Sequence, residues 1–270
     1  IEYYQNIREM EEHFDEKKEE IISGLKAVSE LLFRKGNVMI SYTASREGLA
    51  VLEEEIGSLK EALYPERMPE SRCILHCEKK TEGFNTSSKV QFAAQAGNFI
   101  DAGEEYNGAL QILKVIMSYE YLWINIRVKG GAYGCMSNFN RIGEGYFVSY
   151  RDPNLGRTLE IYDGVPEYLE NFTVSERDMT KYIIGTISNI DQPMTPATKG
   201  DRSMNLYMNH VSAEMIRKER EQILTANQED IRALAGVARA VLANDQICVI
   251  GNEAKIEEEK ELFMTVENLF

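Results

Sequence analysis

The residues of this 270-residue chain best suited to chemistry lie in one short stretch, Ile124 to Phe139, which reads INIRVKGGAYGCMSNF. Within it, Arg127 and Tyr133 flank the pair Gly130-Gly131. The planar fork of an arginine can donate two hydrogen bonds to a peptide carbonyl. A tyrosine hydroxyl can donate to an oxyanion developing on a scissile carbonyl. Glycines between them, lacking Cβ, let a substrate backbone come close. The same glycines also have a plainer use, because a helix that runs to about Ile126 can end on a glycine with positive φ. Lys129 then suits the negative end of that helix.

The rest of the chain offers no self-contained active site. The three histidines, His13, His76 and His210, stand in neither H-E-x-x-H nor H-x-x-E-H. His13 sits on a charged helix beside Glu9 and Glu16, and a helix boundary at Val211-Ser212 separates His210 from Glu214. The run Cys73-Ile-Leu-His-Cys77 hints at metal. As a strand, though, it puts Cys73 and Cys77 on one face and His76 on the other, and four converging ligands are missing. There is no G-x-S-x-G elbow, no phosphate-binding loop and no dinucleotide fingerprint. Four cysteines are too few for a disulfide scaffold and point to a reducing compartment.

The net charge of −14 is concentrated at the ends, −5 in residues 1–20 and −4 in residues 251–270. Solvated helices explain it, and a nucleic-acid partner is excluded for want of a basic footprint. No apolar run reaches the ~18 residues of a membrane span. No signal peptide opens the chain, which starts at Ile1 inside a helical pattern; this suggests a piece of a longer polypeptide.

Several elements must position Arg127 and Tyr133. Apolar residues at helical spacing predict a helix over residues 5–34. A short strand is expected at Val38–Thr43, and a helix capped by Ser45 ends before Pro65. Strands are expected at Arg72–Glu78 and Lys89–Gly97, with KTEGFNTSS as a polar turn between them. A helix over Glu104–Ile126 precedes an antiparallel pair, Ala132–Asn140 and Tyr146–Tyr150. Asp152 and Pro153 read as the N-cap and first residue of the next helix, and Ser175 caps one to about Ile190. DQPMTPATKG reads as a loop, and Asp201–Ala243 as almost all helix with Ser212 and Asn227 as caps. A strand at Gln246–Gly251 and a terminal helix or tail over Glu253–Glu267 complete the chain. The pattern predicts an α+β fold: two layers, a mostly antiparallel sheet with helices packed on one face.

The element RVKGGAYG with downstream YFVSYRDPN resembles the C-terminal domain of pitrilysin/insulinase-type zinc metallopeptidases, in the presequence-protease (falcilysin-like) branch. IIGTISNIDQPMTPATKG, MIRKEREQILTANQEDIRALA and ICVIGNE resemble it too, and together they span about Gly36 to Glu253. The resemblance implies the repeated module of pitrilysin-type (LuxS/processing-peptidase-like) metallohydrolases, four of which close into a chamber. It implies a lead-in helix over residues 1–35, the module over 36–253, and a terminal helix or tail over 254–270.

It further implies that Arg127 holds a substrate backbone carbonyl and that Tyr133 stabilises the tetrahedral intermediate of peptide hydrolysis, with Gly130 and Gly131 supporting substrate approach. Zinc and its ligands would belong to the N-terminal half of the same polypeptide, and this chain by itself would be inactive. The substrates would be short unstructured peptides, in the cytoplasm of a bacterium or an organelle matrix. Two alternatives stay open: a separate non-catalytic partner subunit of a zinc peptidase, and a purely structural module. Tyr150 to Asn154 reads as a strand end plus cap, while Asn138 and Ser149 are candidates to point into the chamber.

Overall fold

The computed structural model describes residues 2–65 and 78–269. Their α-helices are α1 (Glu2–Glu12), α2 (Phe14–Leu32), α3 (Arg46–Ala62), α4 (Ala109–Tyr119), α5 (Gly156–Asp163), α6 (Val165–Glu170), α7 (Glu176–Ile190), α8 (Pro196–Met208), α9 (Ala213–Leu224), α10 (Gln228–Ala233), α11 (Ala235–Leu242) and α12 (Glu253–Glu258). The strands are β1 (Thr81–Thr86), β2 (Gln91–Asn98), β3 (Gly134–Phe139), β4 (Glu144–Asp152), β5 (Gln246–Asn252) and β6 (Thr265–Asn268). They fall into two compact units, one from the described residues of Ile1–His76 with Pro193–Val211, the other from those of Cys77–Gln192 with Ser212–Phe270.

The first unit is helical. The expected helix over 5–34 is two helices, interrupted at His13, whose φ of −115° and ψ of 29° leave the helical region. Ser45 caps α3 by accepting from Gly48 N at 3.4 Å. Val38–Thr43 is not a strand, and among the described residues it has no ladder partner. Instead Thr43 occupies the space that a Cβ on Gly200 would need, its Oγ1 lying 2.1 Å from that position. The expected loop DQPMTPATKG turns into α8 halfway along. Thr195 accepts from Thr198 N, and Pro196 takes the first helical position, where its missing N–H leaves no bond unmade.

The second unit holds a six-stranded sheet in the order β3-β4-β2-β5-β1-β6. The ladders β3/β4, β4/β2 and β2/β5 are antiparallel, whereas β5/β1 and β1/β6 are parallel. The fold is thus α+β with a mixed sheet. Two departures from the sequence reading create its parallel edge. The expected polar turn KTEGFNTSS contains β1, and the expected C-terminal helix or tail contains both α12 and β6. The polar composition of β1 is overridden by two strand neighbours and by Gly83, over which Ile256 and Phe263 pack. The expected strand Arg72–Glu78 lies, except for Glu78, outside the described residues.

One face of the sheet is covered. Ala93, Phe147 and Val249 point into a core shared with Leu113, Ile116, Tyr162, Val237 and Val241 from α4, α5 and α11. On the other face Phe92 and Met136 stay 44% and 46% exposed. Burial of each aliphatic or aromatic core side chain contributes about 1.5–3 kcal/mol, so this single-sided core fixes the register of the sheet. The expected helix from Glu104 begins only at Ala109, because Gly108 presses against the backbone of Glu219 and its N–H donates to Gln222 Oε1 at 2.9 Å. Ser175, Ser212 and Asn227 cap α7, α9 and α10 as expected.

Candidate functional site

The candidate site grows out of the end of α4. After Glu120 the chain does not continue as a regular α-helix but widens into one π-helical turn, Trp123–Val128, in which Lys129 N donates to Ile124 O at 2.9 Å. Such turns insert a residue into the helical repeat and are frequent at functional sites. Here the turn sets the chain's single tryptophan beside Arg127, whose Cζ lies 4.3 Å from the Trp123 ring centroid.

The two glycines close this turn by different means. Gly131 adopts φ +83°, and its N–H donates to Arg127 O at 3.0 Å. Gly130 is not left-handed; it provides room, because a Cβ there would lie 2.4 Å from Ile126 O. Ala132 N then donates to Ile126 O at 3.1 Å, and the chain enters β3. A buried carboxylate fastens the turn from the far side. Asp152 accepts from Asn154 N at 2.9 Å and from Thr158 Oγ1 at 2.7 Å, while Asn154 Nδ2 donates to Gly130 O at 2.7 Å. Asp152 is therefore the last residue of β4 and not an N-cap; α5 begins later, at Gly156.

Tyr133, 57% exposed, stands where the turn meets the sheet. Its N–H donates to Arg151 O at 3.3 Å, and its ring meets that of Tyr150 edge-on at 5.4 Å. The Tyr150 ring fills the place where a Cβ on Gly134 would sit. Two guanidinium groups flank the Tyr133 ring, Arg127 at 5.6 Å and Arg151 at 5.5 Å from its centroid. Arg127 Nη1 also donates to the carbonyl oxygen of Tyr133. Among the described residues the Tyr133 hydroxyl has no hydrogen-bond partner, so it is presented to whatever occupies the adjoining space.

The structure thus brings Arg127, Gly130, Gly131 and Tyr133 into one turn and adds Trp123, Tyr150 and Arg151, which the sequence reading did not place there. For Trp123 a signal was present, a tryptophan four residues before an arginine on a helix. Of the other two candidates, Asn138 lies on the open sheet face with Tyr146, its partner across the ladder, whereas Ser149 is buried on the covered face. Cys135, next along β3, is held in its thiol form. Burial pushes its thiol up to about 11; the charge of Asp152 adds to this, and Arg127 opposes it.

This α+β fold is shared with solved structures of pitrilysin-type peptidases. The peptidase M16 inactive domain from Pseudomonas fluorescens superposes on 77% of this chain and 51% of its own, with a TM-score of 0.51 at 18% identity. Pitrilysin does so over 77% of this chain and 23% of its own, again with a TM-score of 0.51, at 13% identity.

Residues 81–253 match the PreP C-terminal domain, and the chain belongs to that family. It is similar to Protein HypA of Clostridium perfringens, 41% identical over all of this chain and 27% of that protein. It is also similar to presequence protease 1, chloroplastic/mitochondrial, of Arabidopsis thaliana, 30% identical over 94% of this chain and 24% of that protein. The chain spans about a quarter of the length of these relatives. Among the described residues no helix is long and apolar enough to cross a membrane.

Proposed function

We propose that this chain is the C-terminal, non-zinc-binding part of a zinc metalloendopeptidase that degrades short unstructured peptides. Between 78% and 94% of the chain aligns with 20–24% of relatives named as presequence proteases, which favours part of a longer polypeptide over a separate subunit. The observation that carries the reading is the exposed Tyr133, its hydroxyl without a partner among the described residues and its ring near two guanidinium groups, on a turn built by two glycines.

Tyr133 would donate its hydroxyl proton as a hydrogen bond to the oxyanion that forms when a peptide carbonyl is attacked. Donors aimed at developing charge contribute more there than in the ground state. Arg127 has five N–H donors, one of which holds the carbonyl of Tyr133. Another would meet a substrate backbone carbonyl and fix the peptide's register. Gly130 and Gly131 shape the turn and keep the approach to it low.

Among the described residues no group of three or more His, Cys, Asp or Glu could hold an ion. We assign the metal to the N-terminal half of the polypeptide and expect this chain by itself to be inactive. One relative is named chloroplastic/mitochondrial, and we propose an organelle matrix or, for a bacterial protein, the cytoplasm as the place of action.

Tyr133→Phe in the complete polypeptide tests the reading. Loss of one oxyanion donor should lower kcat by roughly 10²–10³-fold with little change in KM. An unchanged kcat would remove the oxyanion role. Arg127→Ala should weaken both binding and turnover.

A further inference from the structure

Strand β4 breaks its own alternation at one residue. From Gly145 to Ser149 the covered positions are Gly145, Phe147 and Ser149, and the open positions are Tyr146 and Val148. Tyr150 continues the open series, but the next covered residue is Asp152, two positions on. The ladder shows why: Phe92 faces Tyr150 and Gln91 faces Asp152, so Arg151 is an extra residue with no partner on β2. It is a β-bulge, and Arg151 takes φ +51°. The other described non-glycine residues with positive φ are His210 and Asp245. His and Asp visit that region several-fold more often than other residues, whereas an arginine there is uncommon.

The bulge has two effects. It returns Asp152 to the covered face, where it is fully buried and fastens the glycine turn through Asn154 and Thr158. It also keeps Arg151 off the covered face, which strict alternation would assign to it, and sets its guanidinium 5.5 Å from the centroid of the Tyr133 ring. Among the described residues that guanidinium has no carboxylate partner. Strained backbone that re-aims a side chain beside a reactive group is a recurrent feature of functional sites.

We propose that Arg151 is a positioning residue for Tyr133. Its guanidinium braces the ring and holds the hydroxyl aimed at the substrate. This rests on the role proposed above for Tyr133. Arg127 stabilises the turn through its bond to the Tyr133 carbonyl, and Arg151 limits how the ring swings about that anchor.

Arg151→Gly provides the test, because glycine accepts positive φ without strain and removes the guanidinium. In the complete peptidase its melting temperature should be equal to or above that of the parent. Its kcat should fall about 2- to 5-fold, the range set by one exposed cation–π contact, with KM nearly unchanged. In a Tyr133→Phe background, which lacks the hydroxyl being aimed, Arg151→Gly should cause no further loss. Additive losses would mean that Arg151 meets the substrate directly, and would overturn the proposal.

A second readout does not depend on activity. Site-specific 3-fluorotyrosine at position 133 should give a shifted, narrower ¹⁹F resonance in Arg151→Gly, as the ring is released. An unmoved resonance would overturn the bracing role even if activity fell. A moved resonance with unchanged kcat in both Arg151→Gly and Tyr133→Phe would retain the bracing and dismiss the catalytic role of Tyr133 instead.

Discussion

Gly130 and Gly131 are neighbours, yet alanine should damage them by different routes and to different degrees. At Gly131 the cost is conformational. An L-residue held at φ +83° loses roughly 1–2 kcal/mol, and the nearest atom to a new Cβ, Pro153 Cγ at 3.6 Å, makes only ordinary contact. At Gly130 the cost is steric and falls on backbone. The new Cβ would lie 2.4 Å from Ile126 O and 2.9 Å from Asn125 O, and neither can rotate away. Relief requires opening the π-helical turn and breaking the bond from Ala132 N to Ile126 O.

Overpacking of about 1–3 kcal/mol and a lost backbone bond of about 1–3 kcal/mol together give roughly 2–6 kcal/mol. For a unit of this size each kcal/mol moves the melting temperature by about 2–4 °C. Gly131→Ala should therefore melt about 2–8 °C lower and, on the function proposed above, keep most of the peptide hydrolysis of the complete polypeptide. Gly130→Ala should melt lower still. It should also lose hydrolysis beyond its loss of folded protein, since Arg127 sits on the part of the turn that must move. Circular-dichroism melts of the 270-residue chain, with kcat/KM of the complete enzyme, decide the matter. A Gly130→Ala variant as stable and active as Gly131→Ala would refute the division of labour between the two glycines.

Cys135 should react slowly with iodoacetamide at pH 8, because a thiol raised to about 11 is almost wholly protonated there; a rate equal to that of free cysteine would contradict its burial. The raised value also gives a sign. Between the ordinary value of 9.0 and about 11 the unfolded chain releases a proton that the folded one keeps, so stability should decline as pH rises through that window, and Cys135→Ala should flatten the decline. Asp152→Ala strands the Thr158 hydroxyl and the Asn154 amide, and urea denaturation should show a loss of about 2–4 kcal/mol, more than for Asp152→Asn. Glu219 on α9 accepts from the Tyr106 hydroxyl at 2.8 Å and pairs with Arg141 of the β3–β4 turn; Glu219→Ala should lose about 1–3 kcal/mol in the same assay, and Tyr106→Phe about 1 kcal/mol.

Helices with strong periodicity and a polar cap were legible in the sequence, as Ser45, Ser175, Ser212 and Asn227 show by capping α3, α7, α9 and α10. These signals are local, since a side-chain oxygen meets an amide two or three residues on. The parallel edge of the sheet was not legible. Polar β1 is a strand because β5 and β6, more than 160 residues away in sequence, supply its partners. Within the candidate site, R-x-K-G-G-A-Y was readable as a chemical motif because its residues lie within seven positions. Arg151 was not, because its approach to Tyr133 depends on a one-residue bulge that strand periodicity does not foretell.

Sequence alone determined that an arginine, two glycines and a tyrosine end a helix before a strand, and that the chain carries no H-x-x-E-H with which to hold zinc. Tertiary structure decided which side chains surround the tyrosine. The π-helical turn sets Trp123 under Arg127, and the bulge sets Arg151 against the Tyr133 ring. The physical reason is one of range. Residue type and short spacing fix which groups a segment can offer, whereas their mutual approach depends on sheet register, and register is set by a core that segments distant in sequence must build together.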